Sequence, residues 1–250
     1  MKLGTLVPCY EHGRTVGAVM EGLAPLDLPC LLVDDGNGPA TRERLEDLAR
    51  RYDFAEVVRR ERRGGKGAAL KTGYRAAMER GWEGVIQLDA DGQHDPADVP
   101  RFAKAMEAQP GALVLGDPVF DASVPRARLY ARQLSRGLVW LSCLSRVVPD
   151  PLCGFRGMPV TATVGLLDRV RTGDWMDFEP EVAVRLVWEG LPVVTVPTRV
   201  VYPPGGVSHF SLAGDYPRLV LLYTRLLAGM LPRAAGLRAR AREAQREAGR

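Results

Sequence analysis

Short apolar runs at residues 3–7, 29–33, 55–58 and 85–88 alternate with segments of helical spacing, and this alternation constrains the fold more than any other feature. Each run holds four or five residues and is closed by a turn signal such as Pro8 or Gly36. A helix between successive strands suits parallel crossovers. The expected class is therefore α/β, with a Rossmann-like, mostly parallel sheet flanked by helices. The intervening helices read as residues 15–26, with Val16, Val19, Met20 and Leu23 at helical spacing, 41–52, with Leu45 and Leu48 inward, and 68–80. Further on, 100–108, 125–147, 176–188 and 215–231 read as helices. Residues 112–115, 191–196 and 198–202 read as strands, the last two divided by Pro197.

A parallel sheet gathers its strand ends on one edge, where open α/β folds bind ligands. Three of these ends carry polar clusters: Pro8-Cys9-Tyr10-Glu11, Asp34-Asp35-Gly36 and Asp89-Ala90-Asp91. Two carboxylates one residue apart repel each other unless a cation lies between them. Hard oxygen ligands, the Gln93 amide included, suit Mg²⁺ or Mn²⁺. The acidic pair at 34–35 is placed to hydrogen-bond a ribose or a base. Gly64-Gly65-Lys66-Gly67 opens a helix and offers backbone N–H groups and an ammonium to an anion. It is no Walker loop, because Gly67 stands where Ser or Thr should follow the lysine. Taken singly, these are an acidic surface turn and a glycine turn. Together they indicate a nucleotide whose phosphates rest on a divalent ion.

The 250 residues, 46% hydrophobic and 26% charged, suffice for one large domain with a core. The net charge of +4 is unevenly spread, with Arg59, Arg60, Arg62 and Arg63 in one cluster and six arginines within 233–250. Such a distribution would suit nucleic acid, phosphorylated substrates or anionic lipid alike; of these, nucleic acid is not the expected partner. Four cysteines without CxxC pairing read as reduced, and the opening residues lack a signal-peptide pattern, so the expected location is cytoplasmic. Residues 219–231 are apolar but too short to span a bilayer, and Arg225 interrupts them. Two readings stay open: a helix lying on the inner face of a membrane with the arginines on anionic headgroups, or one docked on the core with a solvated tail.

PCYEHG, LLVDDGNG, GGKGAALKTG and VIQLDADGQHDP, in this order and spacing, resemble the family two glycosyltransferases. The polyprenyl-phosphate and dolichyl-phosphate sugar transferases are the nearest in pattern, and the resemblance covers roughly residues 3–210. It implies a GT-A fold, a nucleotide-diphosphate sugar donor and a divalent cation, Mg²⁺ or Mn²⁺. It further implies that Pro8 and Tyr10 line the base pocket and that Asp34 or Asp35 holds base or ribose. Glu11 joins that pocket, Lys66 and Gly67 lie near the nucleotide, and Asp89, Asp91 and Gln93 face metal and diphosphate. On the acceptor side it implies roles for Asp177 as general base with Glu181 second, and for Gly154, Arg156 and His209. The alternative for the two acids is that they are first-turn carboxylates favoured by the helix dipole. Three positions depart from the family pattern: Glu11-His12 in place of Asn-Glu, Arg63 in place of an Asn, and Gly116-Asp117-Pro118 in place of Gly-Ser-Arg. The last removes an arginine, for which Arg126, Arg128 or Arg132 can substitute.

The expected organisation is a GT-A domain over 1–212, its nucleotide-binding half at 1–117 and its acceptor half at 118–212, followed by an amphipathic helix and basic tail at 213–250. The expected activity is metal-dependent, inverting glycosyl transfer to an acceptor for which a lipid-linked molecule is one option. One alternative is a catalytically silent nucleotide-sugar-binding protein. Another is a Mg-dependent phosphatase of the haloacid-dehalogenase type, ranked lower because LDADG follows several strands instead of ending the first.

Overall fold

The computed structural model describes residues 1–121, 124, 126–202 and 211–248. The first half runs β1 (Leu3–Cys9), α1 (Val16–Leu23), β2 (Cys30–Asp34), α2 (Pro39–Arg51), β3 (Ala55–Arg59), α3 (Lys66–Glu79) and β4 (Gly84–Gln87). It continues through α4 (Val99–Ala108), β5 (Leu113–Phe120), α5 (Arg126–Cys143), β6 (Arg156–Pro159), α6 (Val160–Arg169), α7 (Phe178–Trp188), β7 (Val193–Val200), α8 (Leu212–Met230) and α9 (Ala234–Ala248). The strands form one sheet in the order β3-β2-β1-β4-β6-β5-β7. The pairs β1–β2, β1–β4, β2–β3 and β5–β7 are parallel, and β6 runs antiparallel to both its neighbours.

Alternation along the strands splits the core between the two faces of the sheet. Leu6, Leu31, Val33 and Val85 join the cluster under α3, α5, α6, α7 and α8. Leu3, Val7, Leu32 and Ile86 join the cluster under α1, α2 and α4. Covered on both faces, β1, β2 and β4 are buried throughout and are mostly apolar, with Thr5, Asp34 and Gln87 as their buried polar positions.

Two features differ from the sequence expectation. β6 and α6 were not anticipated: β6 is only Arg-Gly-Met-Pro, too short and too polar at its start to show a strand pattern. β7 runs unbroken through Pro197, because an edge strand has one row of N–H groups that need no partner in the sheet. The C-terminal segment follows one of its two expected readings: α8 docks on the core, placing Leu219, Leu222, Tyr223 and Leu226 in the same cluster as Val139 and Cys143 of α5, and the basic tail is helical over α9.

Gly4 of β1 faces the indole of Trp82, and a Cβ built there would lie 2.2 Å from the ring. A Gly4→Ala variant should therefore lose about 2 kcal/mol of stability, measured by urea denaturation. An unchanged midpoint would mean the buried indole can retreat.

Candidate functional site

The ends of β1, β2 and β4 lie side by side, as parallel pairing requires, and a cavity of about 560 Å³ opens above them. Its floor is built around Lys66, the first residue of α3. The Lys66 ammonium is 2.7 Å from Asp89 Oδ1 and 2.8 Å from Glu179 Oε2. Glu179 Oε1 accepts from Gln87 Nε2 at 2.6 Å, and the Gln87 carbonyl oxygen accepts from Tyr74 OH. Burial alone would lower the Lys66 pKa, but the two carboxylates outweigh it and raise it above the ordinary lysine value. The same ammonium holds Asp89 below the usual carboxylate range despite its burial. Asp91 has no such cation: burial, then the charge of Asp89, push its carboxyl up to about 6. The Gln93 amide N–H donates to Asp91 Oδ1 at 2.9 Å, and Asp89, Asp91 and Gln93 all line the cavity.

The glycine loop is set by Asp35. Its carboxylate accepts from the amides of Gly64, at 3.0 Å, and Gly65, at 2.8 Å, and from Arg60 Nε at 2.9 Å. Gly65 adopts φ +99°, and a Cβ there would meet Asp174 O at 2.5 Å, so no other residue fits. Gly67 is equally tight against Phe178. Asp35, Pro8, Tyr10 and Lys66 line the cavity. Asp34 does not: it is fully buried, and its Oδ1 accepts from the Asn37 backbone at 2.8 Å and side chain at 2.7 Å. Glu11, at φ +54°, joins the same inner network. Its N–H donates to Asn37 Oδ1, and its carboxylate accepts from Gly38 N at 2.6 Å and Thr41 Oγ1 at 3.2 Å. The departure at residue 11 thus ties the β1 end to the β2 loop.

The acids of α7 are arranged differently from the sequence expectation. Asp177, at the helix start, accepts from Trp175 N at 3.1 Å. Glu181 is fully buried, accepting from Gly173 N at 2.9 Å and from Arg185 at 2.8 Å. Both carboxylates support the 172–175 turn from behind, and neither lines the cavity. Glu179, two residues from each, is the α7 acid that does. Its signal in the sequence was its place in Asp-Phe-Glu-Pro-Glu, but with every residue from Phe178 to Val184 buried no polarity contrast marks the facing side.

The segment preceding β6 closes the floor. Gly154 lies so near Asp89 and Lys66 that a Cβ would come within 2.3 Å of Asp89 Oδ2 and 2.9 Å of Lys66 Nζ. Arg156 is buried and donates to the carbonyls of Cys153, Glu179 and Pro151 at 2.6–2.8 Å, so it pins this loop to α7 and lies outside the cavity lining. Arg132 lines the cavity and pairs with buried Asp150 at 2.8 Å, and Arg128 lines it beside Tyr202. His209 lies outside the described residues. His94, which the sequence reading passed over, is buried at the cavity wall, its ring 5.4 Å from Phe155.

Away from this floor the wall is apolar. Leu134 and Leu138 of α5 face Leu219, Val220 and Leu227 of α8. The outer surface of the same two helices is apolar too: Tyr130, Leu134, Leu141, Tyr216, Val220 and Leu221 are all at least half exposed. No helix among the described residues is long and apolar enough to cross a membrane.

Burial lowers the His94 pKa to about 4, so the folded protein keeps the ring neutral while the unfolded chain takes up a proton near 6.5. The unfolded state then binds more protons between those values, and this part of the stability is complete above 6.5 and lost as pH falls towards 4. A His94→Gln variant should lose about 2 kcal/mol less than wild type between pH 7 and pH 5, compared by urea denaturation at both pH values. Equal losses would mean His94 already titrates normally in the fold.

Comparison with known proteins places this geometry in context. The family model described as Glycosyl transferase family 2 matches residues 5–156. The undecaprenyl-phosphate mannosyltransferase of Micrococcus luteus is 27% identical over 252 residues, covering 96% of this chain and 99% of that protein. Among solved structures, glucosyl-3-phosphoglycerate synthase from Mycobacterium tuberculosis, in complex with Mn²⁺, UDP-glucose and phosphoglyceric acid, superposes with a TM-score of 0.64. It shares 20% identity over 94% of this chain and 80% of that one. The mannosyltransferase PcManGT from Pyrobaculum calidifontis, in complex with GDP-Man and Mn²⁺, gives a TM-score of 0.59 at 19% identity, covering 97% and 75%.

Proposed function

Because this chain belongs to glycosyl transferase family 2, and within it lies close to the polyprenyl-phosphate sugar transferases, we propose that it moves a sugar from a nucleotide-diphosphate donor onto a lipid-linked phosphate. Glycosyl transfer from a nucleotide sugar is the activity of the family. The finer points are our own reading: a divalent cation, inversion at the anomeric carbon, and a polyprenyl-phosphate acceptor met at a membrane surface. The single observation that carries them is one continuous cavity, with acids and a lysine at the β4 end and an apolar channel between α5 and α8 at the other.

The residues present fit a divalent ion. Asp91 is a half-buried carboxylate with no ion-pair partner of its own among the described residues, beside a second carboxylate and an amide oxygen. Mg²⁺ and Mn²⁺ are commonly held by one or two carboxylates with the remaining positions filled by water and substrate phosphate. Asp91, Asp89 and Gln93 would hold the ion, and it would stabilise the negative charge that develops on the departing diphosphate.

The chain's own groups do the rest. Lys66 fixes Asp89 and Glu179 and offsets part of the negative charge on the floor of the cavity. Pro8, Tyr10 and Asp35 bound the nucleoside end, and residues 1–117 form the donor half. The acceptor half and the C-terminal helices supply Arg128 and Arg132, which hold a phosphate by charge and hydrogen bonds. The acceptor oxygen attacks the anomeric carbon from the face opposite the diphosphate. The new C–O bond forms as the sugar–phosphate bond breaks, and the bonding pair leaves with the diphosphate. An ionised phosphate oxygen needs no general base, which accords with Asp177 and Glu181 serving the 172–175 turn. They act in this reading as positioning residues.

An Asp91→Asn variant should cut the transfer rate by about 10³-fold or more while keeping its thermal unfolding temperature, read in an assay that separates lipid-linked sugar from free sugar. A rate within a few-fold of wild type would remove Asp91 from the site. Wild type that releases free sugar without lipid product would instead favour hydrolysis, and wild type that forms neither product a silent binder. Through the exposed apolar face of α5 and α8 the protein should sediment with vesicles containing anionic lipid and far less with purely zwitterionic ones. Absence of binding to both would count against contact with a bilayer.

A further inference from the structure

Four arginines fall between residues 59 and 63, and their roles differ. Arg59 pairs with Glu46, and Arg60 donates to Asp35, Thr72 and the Ala68 carbonyl. Arg63 instead lines the cavity, its guanidinium 4.0 Å from the centre of the Tyr10 ring and 5.0 Å from that of Trp175. Among the described residues no carboxylate pairs with it. Its backbone is held from two sides. Gly36 packs so closely that a Cβ would lie 2.3 Å from Arg63 N, and Asp35 anchors the next two amides.

The order of strand ends says what Arg63 faces. If the donor's phosphates rest at the end of β4, the nucleoside must extend to one side along the sheet edge. On the β6 side lie the apolar walls of α5 and α8. On the other side lie β1 and β2, where Tyr10, Asp35 and Arg63 line the cavity.

We propose that Arg63 selects the nucleobase of the donor, offering a forked pair of N–H groups to a base edge that carries two adjacent acceptors. This deepens the nucleotide-sugar reading and rests on it. Guanine presents O6 and N7 side by side and matches the fork. Uracil flanks O4 with an N–H, and adenine flanks N7 with an amino group, so each opposes half of the fork. A lysine keeps the charge but lacks the planar fork.

The test is calorimetric binding of GDP, UDP and ADP, each with Mn²⁺, to the full chain, to Arg63→Met and to Arg63→Lys. Wild type should bind GDP about tenfold or more tightly than the other two. In both variants that margin should shrink to about twofold, the loss falling on GDP while UDP and ADP hold their affinity. The variants should unfold at the wild-type temperature, because the guanidinium is exposed and bears no buried partner. Equal weakening of all three nucleotides would make Arg63 a phosphate contact and overturn the proposal, as would an unchanged margin or a wild type that favours UDP or ADP. In those cases nucleotide binding survives and the donor reading stands. If wild type binds none of the three, the donor reading and this inference fall together.

Discussion

The buried ammonium of Lys66 is the interaction on which the site depends. It touches Asp89 from the end of β4 and Glu179 from α7, and so joins the two halves of the chain at one point. Two buried carboxylates without it would repel and take up protons. With it, Asp89 stays ionised, Glu179 is fixed against Gln87, and the uncompensated charge is displaced onto Asp91. Gly154 is required for the same reason, since any side chain there would push into this ion pair.

Much of this was legible in the sequence. The alternation of strands and helices, and the convergence of the 8–11, 34–36 and 89–91 clusters on one sheet edge, follow from periodicity and parallel pairing. Other parts were not legible. Asp34 and Asp35 look alike as letters, but Asp34 turns inward onto Asn37 while Asp35 turns outward to the glycine loop. Helical spacing puts Asp177 and Glu181 on one face of α7 and Glu179 on another. With all three buried, only the packing of α3 against α7 decides which face meets the cavity. β6 escaped because its four residues acquire strand geometry from β4 and β5 on either side, not from their own pattern.

The arginines illustrate how similar residues take different parts. Arg156, fully enclosed, satisfies three backbone carbonyls and behaves as a strut. Arg132 pairs with Asp150, lies over the Phe120 ring and still faces the cavity, beside Arg128. Those of α9 project mostly to solvent, and only contacts such as Arg240 with the Trp188 carbonyl tie that helix down. A count of positive charge would have treated them as one population. Burial separates those that shape the protein from those left to meet something else.

Pro197 in β7 has a consequence for how this molecule meets its own kind. An outer strand normally displays a row of unsatisfied donors and acceptors, onto which another chain can add itself. Here the imino acid deletes a donor from the middle of that row, and the neighbouring Arg199 adds a charge that a docking strand would have to accommodate. The sheet is thus blunted at this border against runaway end-to-end growth, a safeguard for a protein that already exposes apolar helices elsewhere.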